Sequence, residues 1–255
     1  MWLSYMSRNT MLGLKSSRIN KMLGAKEMPK HVALTMGGQL SYAKAHNVSI
    51  EEIYKMMFSK INWLLDLQIN MNIPIITAYV LTGDVKESPH FSTIIDKLVE
   101  LFENLRNNSR IYDNKIKISV LGKWYDLPGR AVEPIKSIID ETRDYDSFFL
   151  NLCINYDGKE EIVDACRILG RRIQAGKIDI ESIDRESIKD NIYSSYFLPP
   201  DIVIKTGPEK NLNGFLLWDT TNSHTYFSGK SWLKFNEKDF EKAVEDWRKG
   251  RAIHA

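Results

Sequence analysis

Pro199-Pro-Asp-Ile-Val-Ile-Lys-Thr-Gly-Pro-Glu-Lys-Asn-Leu-Asn-Gly-Phe-Leu-Leu-Trp218 sets a short β-branched run, Asp201 to Lys205, between a proline pair and a Gly-Pro turn. A run of that length with such boundaries reads as a buried strand. Four more runs of the same kind lie upstream, at His31 to Met36, Ile73 to Val80, Lys115 to Leu121 and Phe148 to Asn155, and helical periods separate most of them. Strands that alternate with helices form βαβ units, so the expectation is an α/β fold with a mostly parallel sheet.

The clearest helix starts at Ser49, where Ser49 and Glu52 have the spacing of a capping box, and it carries Ile53, Met56, Met57, Ile61, Leu64 and Leu65 on one face. A second follows Pro89 with Phe91, Ile94, Ile95, Leu98, Phe102 and Leu105. Both stripes read as core against the sheet, because amphipathic helices cover sheets more often than they line ligand tunnels. The charge-rich stretch from Gln174 to Asn191 reads as a solvated helical excursion.

With 255 residues, 43% apolar and 27% charged, the chain suits one folded domain with no long disordered tract. Lysine plus arginine (35) nearly balances aspartate plus glutamate (33), so no global field favours nucleic acid. No apolar stretch approaches the roughly 20 residues of a membrane helix, and Arg8 interrupts the N-terminus before an export signal's apolar core can form. Cys153 and Cys166 have no Cys-x-x-Cys partner and read as reduced core thiols. A cytoplasmic protein is expected.

The Pro199 to Trp218 segment, continued through Tyr226, Phe227, Trp232, Phe235, Asp239 and Phe240, resembles the C-terminal signature of the cis-prenyltransferases, the undecaprenyl diphosphate synthase-like family. Asn155-Tyr-Asp-Gly-Lys-Glu-Glu-Ile162 is similar to the family's Asn-Tyr-Gly-Gly-Arg turn, and His31-Val-Ala-Leu-Thr-Met36 to the strand before its first diphosphate loop. The resemblance implies a central six-stranded, mostly parallel sheet flanked by helices, in one domain over residues 29–255 behind an N-terminal helical segment, 1–28. It also implies a tunnel walled by helices, a dimer built through the C-terminal half, and Mg²⁺-dependent addition of isopentenyl diphosphate to an allylic diphosphate.

Ionising an allylic diphosphate needs carboxylate-held Mg²⁺, arginines and backbone N–H groups at a helix start. The family's first strand ends in Met-Asp-Gly-Asn and a following Arg, with Asp as the catalytic carboxylate; this chain reads Met36-Gly37-Gly38-Gln39-Leu40-Ser41. The family's Gly-His-x-x-Gly loop has no match, and His46 reads as a surface residue. Tyr79 to Asp84 stands where the family has Phe-Ser-x-Glu-Asn-Trp, without its Asn. Lys205 replaces an Arg, which keeps the charge and loses the bidentate fork. Asn211 and Asn213 replace an Arg and a Ser, and His224 stands, without a partner acid, for the second Mg²⁺ carboxylate.

The reading is therefore a catalytically degenerate accessory subunit, with no catalytic residue and no metal ligand of its own. It would pair, as heterodimer or heterotetramer, with a homologous catalytic subunit that supplies most of the Mg²⁺ site. Gly37, Gly38, Gln39, Lys205, Thr206, Gly207, Asn211 and Asn213 would meet prenyl diphosphates. Arg248 and Gly250, in Arg248-Lys249-Gly250, resemble the Arg-x-Gly tail lent to a partner's site; the other reading is a basic turn favoured by a helix dipole. Trp2, Leu3, Tyr5, Met6, Met11 and Leu12 suit either peripheral contact with a membrane or packing of an N-terminal helix. The alternatives are a stand-alone diverged prenyltransferase, with Asp84, Asp157 or Asp219 as replacement acid, and a non-catalytic isoprenoid-binding protein.

Overall fold

A computed structural model describes residues 27–254, and side chains for 27–251. The expected N-terminal helical segment, apart from Glu27 and Met28, and the Trp2 to Leu12 stretch lie outside the described residues.

Among the described residues six strands form one sheet: β1 His31–Thr35, β2 Ile75–Tyr79, β3 Ile116–Leu121, β4 Phe148–Cys153, β5 Ile202–Lys205 and β6 His224–Phe227. Their order is β3-β4-β2-β1-β5-β6, and every pair is parallel. The helices are α1 Gln39–His46, α2 Ile50–Ser59, α3 Ile61–Asn70, α4 Phe91–Arg106, α5 Ser109–Asp113, α6 Gly129–Thr142, α7 Gly158–Gln174, α8 Arg185–Lys189 and α9 Glu237–His254. None is long and apolar enough to cross a membrane.

The period-2 alternation of each strand sorts its side chains between two cores. Val32, Leu34, Ile76, Ala78, Ile118, Leu150, Leu152, Ile202 and Ile204 face the large core that the α2, α3, α4 and α6 stripes fill. Ala33, Ile75, Tyr79, Phe149, Cys153 and Val203 face a smaller one with Tyr156, Phe197, Phe215 and Leu216. A sheet covered on both faces explains why these strands read as continuous apolar runs. β6 reads differently because it is a half-exposed edge strand beginning with His and Thr.

The helix expected from Ser49 is two helices. Ser49 caps α2 through the Glu52 N–H at 3.2 Å, but the chain breaks step at Lys60. The Lys60 ammonium donates to the carbonyls of Trp232 (2.7 Å), Leu233 (3.1 Å) and Phe235, and burial pulls its pKa down to about 8. The charge-rich excursion is mostly non-helical, with one 3₁₀ turn and the short α8. Cys153 is buried as expected, whereas Cys166 is exposed, because it falls on the solvent side of α7.

Candidate functional site

Chain order reverses at β1: the chain leaves it toward β2 and returns on its other side as β5. In open parallel sheets ligands bind beyond the carboxyl ends of the strands at such a switch point. That crevice joins Gly37 and Gly38, which follow β1, to Thr206 and Gly207, which follow β5.

The two loops are hydrogen-bonded to each other. The Gly37 N–H donates to the Thr206 hydroxyl at 2.9 Å, and that hydroxyl donates to the Thr35 carbonyl at 2.5 Å. The Trp232 N–H donates to the Gly37 carbonyl at 2.8 Å, and the Gly207 N–H to the Lys230 carbonyl at 2.6 Å. A β-carbon at position 37 would overlap the Thr206 carbonyl oxygen and stand 3.3 Å from the Lys205 ammonium. At Gly38 (φ +79°) it would press on Ser231, and at Gly207 (φ +93°) on Gly38. Glycine is required here by close approach as well as by φ.

Lys205 is almost entirely buried beside this contact. Desolvation lowers its pKa, against the raising effect of Glu209, whose carboxylate is 3.7 Å away. Asn213, held at positive φ, donates to the Glu209 carboxylate at 3.3 Å. Asn211 is exposed on the same loop. Gln39 is the first residue of α1, whose N-cap Gly38 offers no capping side chain and whose first turn holds no acid. Thus Gly37, Gly38, Gln39, Lys205, Thr206 and Gly207 converge, with Asn211 and Asn213 on the adjoining loop.

Arg248 and Gly250 do not join them within this chain. Both sit in α9, where the Arg248 Nε donates to the Glu27 carbonyl at 2.7 Å and Gly250 packs on the His224 ring. His224 opens β6 opposite Ile202, three strand residues, or about 10 Å, from the Lys205 end. Its expected lack of a partner acid is corrected by the fold: its Nε2 lies 2.8 Å from the Asp246 carboxylate, one turn before Gly250. That pairing joins β6 to a helix remote in sequence.

The three candidate acids separate. Asp84 and Asp157 line one cleft of about 370 Å³ beyond β2, β3 and β4, together with Lys123 and Tyr193; Asp157 also caps α7 through the Lys159 N–H at 2.7 Å. Asp219 is buried elsewhere, paired with the Lys189 ammonium at 2.7 Å and accepting from the Ser194 hydroxyl at 2.6 Å. The contribution of Ser231 and Trp232 to the crevice is not evident in sequence; Gly229-Lys230-Ser231, one residue beyond β6, is the available signal. His46 is exposed and stacks on Tyr42.

The residues present do not fit Mg²⁺. Among the described residues no group of three or more His, Cys, Asp or Glu is placed to hold a metal. Position 37 has no room for a side chain, and an ammonium stands beside it, whereas Mg²⁺ needs carboxylate oxygen.

An all-parallel sheet of this order, with two glycine loops meeting beyond β1 and β5, defines an α/β protein with a candidate ligand crevice at its switch point. The family model described as putative undecaprenyl diphosphate synthase matches residues 35–253, and the chain belongs to that family, the cis-prenyltransferases. A relative from Thermoplasma volcanium, tritrans,polycis-undecaprenyl-diphosphate synthase (geranylgeranyl-diphosphate specific), is 31% identical over 87% of this chain and 86% of its own. The protein of the same name from Thermoplasma acidophilum is 28% identical over 96% and 97%. An isoprenyl transferase from Prochlorococcus marinus is 28% identical over 93% and 88%. The crystal structure of lavandulyl diphosphate synthase from Lavandula x intermedia with dimethylallyl diphosphate superposes with a TM-score of 0.80 over 87% of this chain and 95% of that one, at 21% identity, a likeness of fold.

Proposed function

We propose that this chain is the accessory, catalytically degenerate subunit of a heteromeric cis-prenyltransferase. The assembled enzyme extends an allylic diphosphate with isopentenyl diphosphate to a polyprenyl diphosphate, a precursor of glycosyl carrier lipid. The observation that carries the reading is Gly37: the family's catalytic carboxylate is missing, and the backbone has closed over the space it would need. The homologous catalytic subunit then supplies the carboxylates and most of the Mg²⁺ site, and the pair works in the cytoplasm, peripherally at the membrane that receives the product. Arg248, the residue that would serve the partner's diphosphate, is held within this chain through its Nε on the Glu27 carbonyl and its Nη2 on the Met28 sulfur.

A second reading, a stand-alone diverged prenyltransferase, is favoured by the relatives' names as synthases and by the shared cleft of Asp84 and Asp157. Incorporation of labelled isopentenyl diphosphate onto an allylic primer, with this chain alone, a homologue that keeps the Asp and Arg set alone, and the two co-expressed, separates them. Turnover only by the pair supports the accessory reading. Turnover by this chain alone, abolished by alanine at Asp84 or Asp157, supports the second.

A further inference from the structure

A polyprenyl chain that grows from the switch point of the sheet needs an apolar lumen beside it, and pockets for ligands of even drug size run to about 300 Å³ or more. The apolar layer available in this chain lies between the sheet and the stripes of α2, α3 and α4. That layer is solid. Met57, Ile61 and Leu65 on one side, Leu98 and Phe102 on the other, and Ile76 on the sheet beneath are all 0% exposed. Not even a water-sized sphere reaches these side chains, from outside or from within, so they meet one another as a close-packed core and line no open channel.

At the crevice end the same layer is shut by Trp232, also 0% exposed. Its backbone N–H holds the Gly37 carbonyl at 2.8 Å, and its indole N–H donates to the Met57 carbonyl of α2 at 3.2 Å. The Trp63 ring meets it edge-on at 5.6 Å, and the Lys60 ammonium lies 5.2 Å from the Trp63 ring centre and 5.0 Å from that of Trp232. A charged group fixed there is a poor neighbour for hydrocarbon.

We infer that this chain accommodates no polyprenyl chain, and that the product of the assembled enzyme lengthens in the partner subunit alone. The second half rests on the accessory reading; the first does not, and it removes the isoprenoid-binding alternative. The tunnel that the family resemblance implies is filled by core side chains in this chain. Product length is then set by the partner's residues, and a smaller side chain in this core gives the product no room that it can enter.

An allylic diphosphate carrying a benzophenone at the far end of its hydrocarbon is irradiated with this chain alone, with a homologue that keeps the Asp and Arg set alone, and with the two co-expressed, and the adducts are mapped by mass spectrometry. Adducts within the homologue, alone and in the pair, and none on α2, α3 or α4 of this chain are expected. An adduct on Met57, Leu98 or Phe102, with this chain alone or in the pair, overturns the inference. In a second measurement, Phe102→Leu in the co-expressed pair should leave the product lengths those of the unmodified pair, with circular dichroism establishing that the variant is folded. Longer products would also overturn the inference. The labelling of this chain alone does not depend on pairing, and the accessory reading is decided separately, by turnover of the pair.

Discussion

The Gly37 N–H and the Thr206 hydroxyl, 169 residues apart, are hydrogen-bonded at 2.9 Å across the β1–β5 crevice. A backbone donor that could serve a phosphate oxygen is thereby committed to the protein itself, and the loops approach so closely that a β-carbon at position 37 would overlap the Thr206 carbonyl oxygen. A side chain at position 37 and this closed loop therefore exclude one another.

Restoring the acid should therefore fail. Gly37→Asp is expected to give no prenyl transfer, and Gly37→Ala to lose about 1–3 kcal/mol in urea unfolding, the scale of overpacking against a backbone that cannot yield. Gly170, on α7 with open space around its α-carbon, is the contrast. Gly170→Ala should gain about 0.5–1 kcal/mol. Equal effects at the two positions would refute the steric account.

Thr206→Val keeps the shape and removes the hydroxyl that both accepts from Gly37 and donates to Thr35. Leaving those groups unpaired should destabilise the chain by about 1–3 kcal/mol and speed exchange of the Gly37 amide, while Thr206→Ser retains both bonds and most of the stability. If Val and Ser behave alike in urea and in amide exchange, the hydroxyl is not what closes the crevice.

Most of the sheet was legible from sequence because four strands, buried on both faces, write themselves as apolar runs, and the edge strand β3 still buries Ile116, Ile118 and Leu121. β6 was not, since an edge strand beginning His224-Thr225 carries no such run and is fixed by pairing with β5. The single helix from Ser49 was misread because its apolar period continues through Lys60; the break depends on carbonyls of residues 232–235, remote in sequence. In the site, the glycine pair Gly37-Gly38 was readable, but the overlap with Thr206 and the Asp246 partner of His224 are contacts across the fold that no local pattern encodes.

Asp219 is a candidate replacement acid by sequence, and its surroundings point to structure instead. Its carboxylate, 2% exposed, holds the Lys189 ammonium and the Ser194 hydroxyl, while the Ser194 N–H donates to Glu161 at 3.3 Å, tying the 189–194 turn to α7. Asp219→Asn leaves a partly buried ammonium without its counter-ion and should destabilise by about 3 kcal/mol or more. The measurement is urea unfolding beside a turnover assay of the co-expressed pair. An unchanged midpoint together with abolished turnover would make Asp219 a chemical group rather than a structural one.

His31 gives a pH signature of the folded sheet. Burial is the largest influence on it and, against the raising effects of the Leu198 carbonyl, Asp219 and Asp201, holds its pKa down to about 4, from 6.5. Its ring nitrogens pair with the Leu198 carbonyl at 2.5 Å and the Thr77 hydroxyl at 2.8 Å, the latter also accepting from Asn151 at 3.0 Å. The native ring stays neutral where the unfolded one takes up a proton, so the contribution is complete above pH 6.5 and drains away as pH falls toward 4. A shift from 6.5 to about 4 corresponds to about 3 kcal/mol. Carboxylates titrate in part of the same range, so the informative quantity is the difference between the unmodified chain and His31→Gln in urea unfolding at pH 7 and pH 4.5. The unmodified chain should lose more stability between these pH values than the variant does; parallel losses would mean that His31 is protonated in the native sheet and that its buried hydrogen bonds are arranged otherwise.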